Sequence, residues 1–134
     1  MAGYSGTPLP KKLGIRPGLR VRLVRVSPGV RATLKASLRS CRTVPAGAKP
    51  VDFLMVFATR RATLVTGIEQ AHRTLSPAGM CWGCWPKRTS GVATDLSEGE
   101  VRAIGLDHGL VDVKVCAIDP TWSGLKFVRR LADR

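Results

Sequence analysis

The chain is 134 residues long, 44% of them hydrophobic, and it sets 22 Lys and Arg against nine Asp and Glu. A chain of this length buries roughly two-thirds of its unfolded surface, which excludes wholesale disorder and removes any need for disulfide or metal staples. Its longest plain apolar run, Phe53 to Ala58, falls far short of the roughly 20 residues that cross a bilayer. Gly, Pro, Lys and Arg break the opening segment, so neither a membrane span nor an export signal is expected, and the four cysteines read as reduced thiols in a cytoplasm.

In chain order, Thr7 to Leu13 opens as a short helix with proline in its first turn, stopped by Gly14 and Pro17-Gly18. Residues 1–18 thus form an N-terminal segment of a single domain spanning 1–134. Arg20 to Val26 has the β-branched content of a strand, broken by Ser27-Pro28-Gly29. Val30, Leu34 and Leu38 fall on one face of a helix, and Thr43 to Pro50 reads as loop. Val51 to Ala58 is the unbroken apolar run of a strand covered on both faces. A helix follows, with Thr59 as its cap and Ala62, Val65, Ile68, His72 and Leu75 along its inner face.

Ser76-Pro77-Ala78-Gly79 stops that helix, and Met80 to Lys87 reads as the next strand. Ser97 and Glu100 have the spacing of a capping box for a helix running to about His108, ended by Gly109. Val111 to Ile118 and Leu125 to Arg130 are the last two strands, joined by a connection short enough to make them antiparallel. Strands alternating with helices predict an α/β fold: a compact three-layer Rossmann-like domain with a mostly parallel sheet of about five strands and a C-terminal antiparallel hairpin.

Cys81-Trp82-Gly83-Cys84 has the spacing of a redox dithiol or half a zinc site. Either chemistry needs converging sulfurs, which the first turn of a helix provides. Here Trp85-Pro86-Lys87 follows instead, and in a strand side chains three positions apart point to opposite faces. Cys41 and Cys116 are isolated, and His72 and His108 have no ligand spacing. A buried strand with thiol fillers is the expectation, with no metal and no resident cofactor.

The charge is uneven. Residues 1–50 hold eleven Lys or Arg and no acid, whereas 51–134 hold eleven against nine acids. Such a block suits an anionic partner or nucleic acid, bound in a salt-dependent way. Tyr4 is the lone aromatic of that half, so a base-stacking platform is not indicated.

Several motifs carry a resemblance. Trp85-Pro86-Lys87, Ser90 to Asp95 (SGVATD), Gly109 to Arg130 (GLVDVKVCAIDPTWSGLKFVRR) and Met1 to Gly18 together resemble a small actinobacterial family of unassigned function. The resemblance spans nearly the whole chain and implies no catalytic residues. This sequence departs from it in its paired cysteines and in Arg20, Arg22 and Arg25, where relatives look more apolar. The layout also looks like the latter part of a Rossmann-type methyltransferase, Leu75 to Lys87 standing for the strand after a Pro-Gly turn. That likeness is one of fold. Ser27-Pro28-Gly29-Val30 is no GxGxxG turn, and Thr59-Arg60-Arg61 offers no acid to a ribose, so dinucleotide or S-adenosylmethionine binding is not expected.

Ligands of open parallel sheets bind outside the carboxyl ends of the strands. Ser27, Thr59, Arg60, Trp85, Lys87 and Asp119 fall there, joined by Trp122 and Ser123 from the hairpin. Arg60, Trp85, Lys87, Asp119, Trp122 and Ser123 are therefore the candidate ligand site for a small anionic molecule, against the plainer reading of a Lys87–Asp119 surface pair. Asp112 and Lys114 are expected to share a strand face as a structural pair, and His108 to sit at a helix C-terminus. No catalytic triad or nucleophile elbow is present. The sequence reading therefore favours a non-catalytic binding or regulatory module over an enzyme.

Overall fold

The computed structural model describes residues 6–134; Met1 to Ser5, which begin the first motif and include Tyr4, lie outside the described residues. Helix α1 (Leu9–Leu13) starts two residues later than Thr7, with Pro8 at its capping position, and ends at Gly14 in the left-handed region. Strand β1 (Arg20–Val24) leads to helix α2 (Pro28–Leu38), where the Ser27 hydroxyl accepts the Val30 N–H at 3.3 Å. A two-residue strand, β2 (Arg42–Thr43), comes next, then β3 (Val51–Phe57), helix α3 (Arg61–Thr74) and β4 (Leu75–Pro86). Helix α4 (Glu98–Asp107), β5 (Leu110–Ala117) and β6 (Trp122–Arg129) complete the order.

The six strands form one mixed sheet in the order β2-β1-β3-β4-β6-β5. β1 pairs in parallel with β2 and β3, and β3 with β4; β6 runs antiparallel to both β4 and β5. The expected Rossmann-like class and terminal hairpin hold. The strand count is six rather than about five, because Arg42-Thr43 pairs with Arg20-Val21 through only two positions, too few to leave a period in the sequence. β6 inserts between β4 and β5, so the last strand fills the sheet instead of extending its edge.

Alternate residues of β3 and β4 build two cores. Leu54, Val56, Cys81 and Trp85 pack with Leu64 and Ile68 of α3 and Val101 and Ile104 of α4. Phe53, Met55, Phe57, Trp82 and Cys84 pack with Leu13, Val30 and Leu34 on the α1–α2 side. Cys81 and Cys84 thus lie on opposite faces, as the strand reading requires. Burial pushes the Cys81 thiol up to about 12, and burial first, then Cys81, Cys116 and Asp119, raises that of Cys84. Trp82 is fully buried, and its Nε1–H donates to the Leu13 carbonyl at 2.9 Å, tying α1 to the sheet.

Two local expectations are corrected. The buried face of α3 is Leu64, Gly67, Ile68 and Ala71, while Ala62 and His72 are exposed. The reason is Gly67: a Cβ there would stand 2.6 Å from Val56 Cγ1, so the helix comes closest to the sheet where it has no side chain. Asp112 and Lys114 do not share a face, because the β5–β6 register shifts between them. Asp112 instead meets Arg102 Nε at 2.9 Å, and Lys114 donates to the Lys12 carbonyl at 3.1 Å. Ser76-Pro77-Ala78-Gly79 does interrupt the chain, but as a register break inside β4: Val51 pairs with Leu75 and Phe53 with Met80. No helix among the described residues is long and apolar enough to cross a membrane.

Candidate functional site

Four segments leave the carboxyl edge of the parallel strands. After β1, Arg25 takes φ +59°, an exposed non-glycine residue in the left-handed region. That conformation costs about 1–2 kcal/mol for a residue with a Cβ. After β3, Thr59 lends its carbonyl to the Thr94 hydroxyl at 2.6 Å, and Asp95 Oδ1 accepts the Arg61 N–H at 2.7 Å. Asp95 therefore does the capping of α3 assigned above to Thr59. After β4, the Lys87 N–H donates to the Thr121 carbonyl at 2.7 Å, and the Ser90 hydroxyl donates to the Lys87 carbonyl at 2.7 Å. After β5, Asp119 Oδ1 accepts the N–H groups of Thr121 at 2.8 Å and Trp122 at 2.7 Å, which fixes the turn into β6.

The sheet divides the predicted cluster. Trp85 pairs in register with Ser123, so both belong to the α3–α4 face; Pro86 pairs with Trp122, which belongs to the α1–α2 face. Trp122 is half-buried and meets the Phe57 ring edge-on, centroids 5.1 Å apart at 87°. Asp119 is committed to its own turn, and the ion pairs among the described residues do not include it: they are Arg61–Glu100, Arg102–Glu98 and Arg102–Asp112. The expected Lys87–Asp119 surface pair is absent from that set. Arg60 is exposed and Lys87 half-buried, which leaves their charges facing solvent at this edge.

A groove of about 450 Å³ opens beside Trp85 on the α4 side. Pro86, Arg88, Thr94, Ser97 and Glu98 line it with the indole. Of the predicted site residues only Trp85 is among its walls. The others were missed because the segment from 87 to 97 has no periodicity; its signal was the polar SGVATD motif, which threads Thr94 and Asp95 back onto the start of α3. Ser97 caps α4 through the Glu100 N–H at 3.3 Å, whereas the Glu100 carboxylate turns to Arg61 at 3.0 Å. Half of the expected capping box thus forms. The His108 ring reaches the Ile104 carbonyl through Nδ1 at 2.8 Å, a helix-end contact of the structural kind expected.

The edge carries more cations than free carboxylates. Arg25, Arg60, Lys87 and Arg88 stand against Asp95 and Asp119, both already holding backbone amides. Such an edge suits an anion. Among the described residues no three His, Cys, Asp or Glu gather as a metal site.

No family model matches the chain, and no curated protein matches it. Solved structures do. A SAM-dependent methyltransferase from Aquifex aeolicus superposes with a TM-score of 0.66 at 16% identity, over 87% of this chain and 85% of that one. Aeropyrum pernix fibrillarin with natively bound S-adenosyl-L-methionine gives 0.57 at 15%, over 94% and 70%. A protein described as a pericyclic reaction enzyme gives 0.55 at 10%, over 91% of this chain but 39% of that one. At these identities the likeness is one of fold, and the fold is the methyltransferase-like Rossmann layout. It also corrects the preference for a non-catalytic module. That preference rested on missing acid–base machinery and missing cofactor loops, but the neighbours sharing this fold are described as enzymes.

Proposed function

We propose that the protein is an enzyme built on the methyltransferase fold, taking an anionic substrate at the carboxyl edge of β3 and β4. The sheet order carries this reading, since it brings the Trp85 groove and the cationic strand ends to the place where open α/β sheets bind ligands. Arg60, Lys87 and Arg88 supply the attraction, and the Trp85 indole a flat apolar wall. The SGVATD and WSGLKF motifs support membership of the actinobacterial family named above. Four free cysteines support a cytoplasmic site of action, and the basic 1–50 segment supports an anionic partner.

S-adenosylmethionine, which a neighbour binds, does not fit the residues here in the usual way. Arg25 and Val26 stand where backbone would have to approach the ligand, and the Ser27 hydroxyl already takes the Val30 amide in the first turn of α2. β2 ends at Thr43, and Val44 and Pro45 follow it, so that strand end offers a ribose no carboxylate. The breadth of the fold likeness still favours methyl transfer as a second reading.

One titration separates the two. Melting temperature is followed with S-adenosylmethionine, S-adenosylhomocysteine, nucleotides and sugar phosphates, in wild type and in Arg60→Ala and Lys87→Ala. Phosphorylated compounds should raise it, with both variants weakening the rise. A rise with S-adenosylmethionine alone, untouched by either variant, selects the second reading; no rise with anything sinks both.

A further inference from the structure

Arg22 occupies an inward-facing position on β1, opposite Leu54 of β3 and on the same face as α3. An arginine is an unusual occupant of a strand with neighbours on both sides, since an unpaired cation removed from water is costly. Its Nε is fully buried and has no hydrogen-bond partner among the described residues. Gln70 Oε1, on α3, is buried and unpartnered in the same sense. Both residues line one cavity of about 140 Å³, together with Arg73, Thr74, Gly47 and Ala48, floored by Leu54. That volume is several times what one ordered water needs.

The two orphaned atoms and the second arginine share a logic. A guanidinium is always protonated and offers its N–H groups in a planar fork suited to tetrahedral oxyanions. No carboxylate lines the cavity to neutralise Arg22 or Arg73. Gln70 accepts a hydrogen bond from the O–H of a partly protonated oxyanion through Oε1, or donates one from its amide N–H to a fully ionised oxyanion once the amide turns over. The C-terminal turn of α3 lies close by, and a helix C-terminus opposes an anion. Here that opposition is reduced, because Arg129 donates to the His72 carbonyl at 2.9 Å and to the Leu75 carbonyl at 2.7 Å.

We infer that the cavity between β1, α3 and the 44–50 loop is a binding site for a phosphate-class oxyanion, held by Arg22, Gln70 and Arg73. It is separate from the carboxyl-edge groove, which lies at the other end of α3.

Calorimetric titration of the full chain with sodium phosphate, at ionic strength fixed with chloride, tests this. Parallel arms use sulfate and glycerol phosphate. Phosphate should bind, and Arg22→Met and Gln70→Leu should each weaken it about tenfold or more, as loss of a charge-assisted hydrogen bond does. Arg73→Ala, on the surface, should weaken it a few-fold, and Lys35→Ala, an exposed cation of α2 outside both sites, should leave it unchanged. Binding of glycerol phosphate as well would identify a phosphoryl group on a larger molecule; binding of the free ions alone would identify inorganic anions, and either supports the site. Arg22→Met places an apolar chain among apolar neighbours and should stay folded, and Gln70→Leu is a second probe from another element. The inference is overturned if phosphate behaves as chloride does, leaving a water-filled cavity only. It is equally overturned if Lys87→Ala abolishes binding that both inner variants retain.

Discussion

The two flanks of the β3–β4 pair are built on different principles. On one side β6 and β5 are eight residues each, pack Phe127 and Leu125 against α4, and tie Asp112 to Arg102 across the helix–strand junction. On the other, β1 has five residues and β2 two, and the inward position opposite Leu54 holds an arginine with an orphaned nitrogen. The first flank is stabilised by contacts it makes with itself. The second keeps polar groups that the protein alone does not satisfy, the pattern expected where a fold retains binding capacity at some expense of stability.

Truncations should expose that contrast most strongly. Phe127→Ala on the hairpin flank should lower stability by about 3–5 kcal/mol. Val21→Ala on the β1 flank, equally buried, should cost roughly 2 kcal/mol for its two methyl groups. Urea unfolding of both variants checks the order, and equal losses would erase the distinction. Gly105→Ala should cost about 1–3 kcal/mol, because a Cβ there collides with the Phe127 ring and α4 must lift away from the hairpin. On the other flank Arg25→Gly should do the reverse, raising stability by up to about 1 kcal/mol as the left-handed strain goes, less what the unfolded chain gains in freedom.

A smaller effect concerns pH. The hydrogen bond from Arg102 holds the Asp112 carboxyl below its ordinary value. A lowered carboxylate contributes stability above the unfolded pKa, and that contribution is lost as pH falls through the folded one. The gap between wild type and Asp112→Asn should therefore be constant from pH 8 to 5 and close below about pH 4. The smallest expected response lies between the flanks. With Cys81 pushed to about 12 and Cys84 raised, both by burial, and with Cys116 also buried, native protein at pH 8 should alkylate at Cys41 alone. Unfolded protein should alkylate at all four cysteines, and mass spectrometry distinguishes the two cases.

The same contrast explains what was legible beforehand. Phe53 to Phe57 and Met80 to Pro86 are recognisable because complete burial leaves little choice of residue type. The face assignment of Cys81 and Cys84 followed from the two-residue period of a strand. That logic failed at Asp112 and Lys114, where one added residue reverses the alternation and nothing in the local sequence marks it. It failed again on α3, where a glycine with no hydrophobicity of its own sits at the tightest packing point. The candidate site was half visible: Lys87 and Arg60 lie at the strand ends as expected, but the parity of Pro86 opposite Trp122 places Trp122 across the sheet from Trp85. The preference for a quiet module gave too much weight to absent catalytic and cofactor motifs and too little to the fold that carries them.

The Trp82–Leu13 hydrogen bond turns this indole into a built-in optical reporter. Its ring is sealed beneath the first helix, so detachment of that helix would admit solvent to the chromophore before the sheet itself came apart. With Trp85 and Trp122 replaced by phenylalanine, emission from Trp82, compared with the far-ultraviolet signal of the whole chain, would then time the departure of the amino-terminal segment against global unfolding.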